Sequence, residues 1–157
     1  MPTNKDREVS ILNDLIETCR DGELGFRAAA EGTDDNELKS LFNRYSQQRA
    51  QFASDLRMEV TGVGGDPANR GTVGGAMHRG WINIKSAVTG KDLEAIINEC
   101  ERGEDVAKEN YKKALASGDL SEEVRSLVHE QSMEVQEAHD RIRALQRTTE
   151  KSGRRRP

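Results

Sequence analysis

The chain has 157 residues and a formal net charge of −4, with 33% charged and only 4% aromatic residues. This size and composition are typical of one well-hydrated helical domain, and the mildly acidic balance does not indicate a nucleic-acid partner. The apolar runs are far shorter than the roughly 20 residues that cross a bilayer, and the N-terminus lacks the apolar stretch of a signal peptide. We therefore expect a cytoplasmic protein that does not enter membranes.

Four long segments carry apolar residues at steps of three and four, which is the spacing of one helix face. Capping residues precede these segments and glycines follow them, so the sequence predicts helices over 6–31, 34–60, 91–117 and 121–150. The four helices are expected to form one domain over residues 1–150. The arginine-rich residues 151–157 are expected to form a basic, flexible tail.

The connection between the second and third helices is long. Residues 62–75 contain six glycines and Pro67, which favour an irregular segment. A further apolar stripe then predicts a short helix over 76–88, packed on its own bundle, from Met77, Trp81, Ile84 and Val88. A connection of this length allows helix three to start at the same end of the molecule as helix two. The predicted fold is therefore an all-α four-helix bundle with a long crossover that contains a short extra helix.

Each long helix has a polar residue in the middle of its apolar stripe. Because these positions face the predicted core, their side chains are expected to meet in one internal polar layer. The layer consists of Glu23, Gln48, Glu104 and Gln131, with Gln51 and Glu134 placed one turn beyond the two glutamines.

Three other features receive structural interpretations. Cys19 and Cys100 lie on the apolar stripes and are interpreted as small buried residues rather than as a disulfide or a metal pair. His139-Asp140 is interpreted as an exposed or half-buried pairing dipeptide. The glycine-rich connection follows a helix and has no Lys-Ser or Lys-Thr after its last glycine, which argues against a phosphate-binding loop.

Five short stretches, together with the helix layout, resemble a known family. They are Leu12-Asn13-Asp14-Leu15-Ile16, Gly25-Phe26, Arg79-Gly80-Trp81, Cys100-Glu101-Arg102-Gly103-Glu104-Asp105 and His139-Asp140. Over residues 8–147 the chain resembles a bacterial family of ferritin-like four-helix-bundle proteins of unknown function, sometimes linked with stress. The resemblance implies a ferritin-like fold and a metal-binding heritage, but no activity.

Ferritin-like di-iron and di-manganese bundles bind metal through a Glu from each of two helices and a Glu-x-x-His pair from each of the others. Glu23 and Glu104 match the single positions, whereas the paired positions contain no histidine. The amide oxygens at these positions are weak ligands for transition metals. A site rich in oxygen donors favours manganese, iron(II), calcium or magnesium over zinc. The metal-binding hypothesis is a degenerate site for iron or manganese, formed by Glu23, Gln48, Gln51, Glu104, Gln131 and Glu134.

Two alternatives stay open. The polar layer can be closed by its own hydrogen bonds, and it would then only fix the helix register of a structural or protein-interaction bundle. A di-metal oxidase or ferroxidase-like enzyme is the other alternative, although the missing imidazoles argue against it. The sequence has no fifth C-terminal helix of the kind found in large cages. We therefore expect a monomer, homodimer or small oligomer, and the sequence indicates no particular protein partner.

Overall fold

The computed structural model describes residues 3–68 and 80–155. All regular elements in these two ranges are helices: α1 (Asn4–Glu31), α2 (Asn36–Gly62), α3 (Ile84–Thr89), α4 (Leu93–Ala116) and α5 (Glu122–Arg155). The prediction of an all-helical chain with four long helices is confirmed for the described residues. None of the described helices combines the length and the apolar character needed to cross a membrane.

Side-chain caps explain where three of the long helices start. The Thr3 hydroxyl accepts a hydrogen bond from the Asp6 backbone N–H at 3.1 Å, and the Asp6 carboxylate accepts one from the Thr3 N–H at 3.1 Å. This reciprocal pair satisfies two backbone donors at the start of α1. Asp35 caps α2 by accepting the backbone N–H groups of Glu37 and Leu38, and Asp92 caps α4 by accepting that of Ala95.

The crossover helix is shorter than predicted. α3 begins at Ile84, whereas the sequence pattern predicts a start at residue 76; residues 69–79 lie outside the described part of the chain. Gly80 has a φ of 98°, and a Cβ built there would lie 2.7 Å from the Arg102 carbonyl oxygen. The backbone therefore turns closely against α4 at a position that suits glycine, which prevents one continuous helix through this segment.

The far end of α5 also differs from the prediction. The helix continues to Arg155, so it covers most of the segment expected to form a flexible tail. Lysine and arginine are good helix formers, and positive charge is favourable near the C-terminal end of a helix. A basic composition at this position is therefore compatible with helix as well as with a tail.

Contacts between the helices define their relative directions. α1 and α2 pack extensively and are joined by the short connection 32–35, and α4 and α5 form a second pair joined through 117–121. In this second pair Asn98 bonds Gln146 near one end, while Tyr111 bonds Gln131 further along, so the two helices are antiparallel.

The two pairs meet with α1 antiparallel to α4. Thr18 accepts a hydrogen bond from Asn110 at 3.0 Å, and a Cβ at Gly32 would lie 3.0 Å from the Ile96 side chain. Consequently α2 and α4 point in the same direction, and the connection between them must return along the length of the helices. This is the direction pattern expected of a long crossover.

The buried apolar residues of the described ranges form two clusters. One contains Leu12 to Cys19 of α1 with Phe52 to Val60 of α2, and the other contains Phe26 to Ala30 with Leu41 to Tyr45. On α1 and on α2, the stretch between the two clusters includes polar residues or glycines. Glu23, Gln48 and Glu104 therefore lie between the two clusters along their helices, whereas Gln131 lies between Val128 and Val135 of the first cluster.

Candidate functional site

A closed ion pair occupies the middle of the predicted polar layer. Arg49 Nη1 donates to Glu104 Oε1 at 2.5 Å, and Nη2 donates to Oε2 at 2.7 Å. Both side chains are at most 2% exposed. Although burial would lower the pKa of Arg49, the adjacent Glu104 carboxylate outweighs it and raises that pKa. The guanidinium of Arg49 therefore keeps its charge, and it pairs with Glu104 where both side chains are shielded from solvent.

Aromatic rings and an amide complete the surroundings of the guanidinium. Its Cζ lies 5.5 Å from the ring centroid of Phe26 and 6.0 Å from that of Phe52, within the range of cation–π attraction. Arg49 Nε donates to Gln48 Oε1 at 3.2 Å, and Gln48 is partly exposed. The predicted residue Gln48 thus acts as a partner of Arg49.

Glu23 lies at the edge of the interior and turns to other cations. One carboxylate oxygen is bonded to Arg20, and the other accepts from Arg27 Nη2 at 3.0 Å. Both arginines belong to the same helix as Glu23 and are partly or largely exposed. Glu23 is therefore buried as predicted, but its carboxylate is paired along α1 and not with Glu104.

Gln131 is buried and belongs to a separate chain of hydrogen bonds. The Tyr111 hydroxyl donates to Gln131 Oε1 at 2.7 Å, and Gln131 Nε2 donates to the Phe52 carbonyl oxygen at 3.4 Å. Cys19 Sγ lies 3.1 Å from the same hydroxyl. Burial raises the pKa of Tyr111 well above its ordinary value, so this chain consists of neutral groups.

The expectation that Gln51 and Glu134 face the interior is wrong. Both side chains are exposed, and Gln51 Nε2 donates to Asp55 on the surface at 2.9 Å. On α5 the position four residues after Gln131, Val135, is the one that turns inward. The sequence predicts that the two members of each pair, one turn apart, share the inward face. In the structure the residue after Gln51 and the residue after Glu134 face the core instead.

The six predicted ligands therefore do not converge on one point. Glu104 is the only one of them whose carboxylate lies fully inside, and Arg49 takes both of its oxygens and supplies the positive charge that a cation would bring. The residues present do not fit an interior iron or manganese centre made by Glu23, Gln48, Gln51, Glu104, Gln131 and Glu134.

Sequence reasoning missed Arg49. Its position carries a signal, because Tyr45, Arg49, Phe52 and Leu56 follow one another at steps of four, three and four residues. The spacing therefore places Arg49 on the apolar stripe as well as Gln48. The neighbouring amide, Gln48, also fits this spacing, and it is the residue that the sequence pattern assigns to the polar layer.

A second cluster of ligand-type side chains lies between α4 and α5. Glu101 and Asp105 are one turn apart on α4, and His139 of α5 places Nε2 2.7 Å from Asp105 Oδ1 and 4.0 Å from Glu101 Oε1. One ligand atom from each residue lies within 4.8 Å of the other two. We call these three residues the α4–α5 triad.

The triad combines a buried imidazole with more exposed carboxylates. The His139 side chain is 2% exposed, Glu101 is 20% exposed and Asp105 is 52% exposed. Burial and the neighbouring Asp105 carboxylate raise the pKa of Glu101, since two like charges are held close together. The cluster is thus open to solvent on one side and carries crowded negative charge.

The interpretation of His139 as exposed or half-buried is wrong, whereas Asp140 is exposed. His139 lies four residues after the buried Val135, so the spacing could have placed it at the core. Its contact with Asp105 depends on the register of α5 against α4, which spacing along one helix does not give.

Both cysteines are free and buried, as the sequence predicts. Burial raises the pKa of Cys19 to about 11 and that of Cys100 well above its ordinary value. We expect both thiols to stay protonated and to resist a disulfide reagent such as DTNB at pH 8 in the native protein, and to react at once in 6 M guanidinium, since the thiolate is the nucleophile. Rapid reaction of either thiol in the folded protein would contradict this burial.

Over the residues that the structure describes, the chain is all-helical, with four long helices, a buried ion pair and a triad of metal-ligand side chains. The chain belongs to the family described as Domain of unknown function (DUF2383), whose family model matches residues 7–117. The matched part includes most of α1 and all of α2, α3 and α4, with Arg49, Glu101, Glu104 and Asp105. It ends before α5, so His139 lies outside the match. No curated protein matches the chain significantly.

Proposed function

We propose that this chain is a ferritin-like four-helix-bundle protein that binds a divalent cation at the α4–α5 triad and not inside the polar layer. The ferritin-like assignment is supported by the direction pattern, in which α1 and α2, and α4 and α5, are antiparallel pairs and α2 runs parallel to α4. The observation that carries the metal proposal is the convergence of Glu101, Asp105 and His139 within 4.8 Å.

The chemistry of the triad suits a transition metal ion. Two carboxylates and one imidazole form a mixed oxygen and nitrogen donor set, which suits manganese(II), iron(II) and zinc better than calcium or magnesium. A cation would also relieve the repulsion between Glu101 and Asp105. Three protein ligands leave coordination positions for water, and Asp105 is half exposed, so the proposed role is reversible cation binding.

Metal retention tests this proposal. Metal-free protein would be incubated anaerobically with manganese(II), iron(II) or zinc, desalted, and measured by elemental analysis. We expect about one cation per chain in the unchanged protein and at least a tenfold lower affinity in His139→Ala and in Asp105→Asn, because each removes one of three ligands.

Glu134→Gln is the matched control, since it removes an exposed acid of α5 that was a predicted ligand of the interior site. This variant is expected to retain the cation. Retention in His139→Ala together with loss in Glu134→Gln would contradict the α4–α5 triad as the binding site. A folded, unchanged protein that retains no cation would overturn the proposal.

The buried Arg49–Glu104 pair favours a second candidate function, a structural or interaction bundle whose polar layer fixes helix register. In this case no metal is required, and the melting temperature would be the same with and without a chelator. The α4–α5 triad would then be an ordinary partly buried ion-pair cluster. The elemental analysis above separates this candidate from the first.

A further inference from the structure

Each ring nitrogen of His139 lies near a carboxylate. Nε2 faces Asp105 Oδ1 at 2.7 Å, and Nδ1 lies 3.5 Å from Asp140 Oδ1. Only one ring nitrogen can point at a cation shared with Glu101 and Asp105, and this is Nε2. The other nitrogen then needs an acceptor, because a buried N–H without one is costly.

Asp140 is positioned to be that acceptor. Its Oδ1, the same oxygen that approaches His139 Nδ1, also accepts a hydrogen bond from Gln136 Nε2 at 2.9 Å. Gln136 lies one turn earlier on α5, so the carboxylate is held from within the same helix. The side chain of Asp140 is 66% exposed, whereas the ring it approaches is 2% exposed.

A metal-ligating histidine usually donates its second ring N–H to a carboxylate or a carbonyl, which fixes the tautomer and the direction of the ring. In the structure Asp105 also bonds the ring. A bound cation would engage Asp105 as a ligand and remove this restraint, which leaves Asp140 as the group that holds the ring in place.

We propose that Asp140 is the positioning residue of the α4–α5 triad, which accepts the Nδ1–H of His139 and directs Nε2 at a cation between Glu101 and Asp105. This inference rests on the proposed function. It also assigns a role to each member of the His139-Asp140 dipeptide. The buried His139 would be the metal ligand, and the exposed Asp140 would be the hydrogen-bond acceptor of its ring.

The test compares zinc affinity in the unchanged protein, Asp140→Asn and Asp140→Ala, measured by competition with a chromophoric chelator. Loss of an outer partner of a metal ligand typically reduces affinity 10- to 100-fold. We expect Asp140→Ala to show a loss in this range and Asp140→Asn a smaller one, because the asparagine amide oxygen can still accept the Nδ1–H.

Glu137→Gln is the matched control, since Glu137 is an exposed acid of the same helix, two residues from His139. It removes one negative charge near the site, so it measures the general electrostatic effect on zinc binding. We expect it to change the affinity less than about threefold, on the scale of a screened surface charge. The far-UV circular dichroism of every metal-free variant should match that of the unchanged protein.

Two results would overturn the inference in different ways. If the unchanged protein binds zinc but Asp140→Ala binds equally well, or no worse than Glu137→Gln, Asp140 does not position the ring although the site exists. If the unchanged protein does not bind zinc, the proposed function and this inference fail together. The graded order of alanine, asparagine and aspartate at position 140 would support a hydrogen bond, because a pure charge effect treats the two variants alike.

Discussion

Replacing Arg49 with Met is expected to lower the free energy of unfolding by about 3–5 kcal/mol, since it leaves a buried carboxylate without its partner. Glu104 is fully buried, and both of its oxygens bond Arg49. Methionine fills a similar apolar volume against Phe26 and Phe52, so loss of charge pairing rather than a cavity would dominate. Urea unfolding followed by far-UV circular dichroism at neutral pH measures the change.

Two further variants show whether the pair itself is responsible. Arg49→Met combined with Glu104→Met removes both charges, and it should recover most of the stability that the single change loses, since apolar groups often replace a buried pair without net loss. Arg27→Met makes the same substitution in the partly exposed pair with Glu23, and it should cost less than about 1 kcal/mol. A single Arg49 variant as stable as the unchanged protein would contradict this account of the layer.

The sequence predicts the existence of the polar layer but not its chemistry. Glu23, Glu104 and Gln131 are buried, as their places on the stripes indicate. The missing partner of Glu104 is one residue from a predicted member, and neighbouring residues on a helix point about 100° apart. Which of Gln48 and Arg49 faces inward depends on the rotation of α2 about its own axis, and this rotation is set by the packing of α2 against α1 and α5.

The helices themselves were predictable because periodicity, caps and glycines agree. The largest differences are at the ends of elements, where the local sequence does not decide between helix and loop. The turn at Gly80 depends on a contact with α4. The basic end of α5 is compatible with either helix or tail. Tertiary contacts decide such positions, and propensity alone does not.

The α4–α5 triad could not be predicted because it depends on register between two helices. Glu101 and Asp105 share a helix face by their spacing, but His139 is 34 residues away from Asp105. The consecutive residues Gly103, Glu104 and Asp105 also point to three different neighbours: Trp81, Arg49 and His139. A sequence motif of three adjacent residues therefore serves three separate contacts.

Gly103→Ala is expected to destabilise the protein by about 3 kcal/mol, at the upper end of the usual cost of overpacking, because the new methyl group would overlap the indole ring of Trp81. A Cβ at Gly103 would lie 2.1 Å from Trp81 Cε2, and one at Gly25 would lie 2.3 Å from Cδ2 of the same ring. The ring is 2% exposed and also contacts Phe26 with centroids 5.0 Å apart. It cannot move away from one glycine without approaching the other.

The helix propensity of alanine opposes this effect, since alanine in a helix interior is favoured over glycine by about 1 kcal/mol. Gly62→Ala is therefore the matched control: Gly62 is the last residue of α2, and a Cβ there meets nothing within 4 Å. This variant should be as stable as the unchanged protein or slightly more so. Chemical unfolding gives the stability of both variants, and the emission of Trp81 should shift only in Gly103→Ala. Equal stability of the two variants would mean that the indole ring can leave its place between α1 and α4 without cost, and that the glycines do not determine how closely these helices pack.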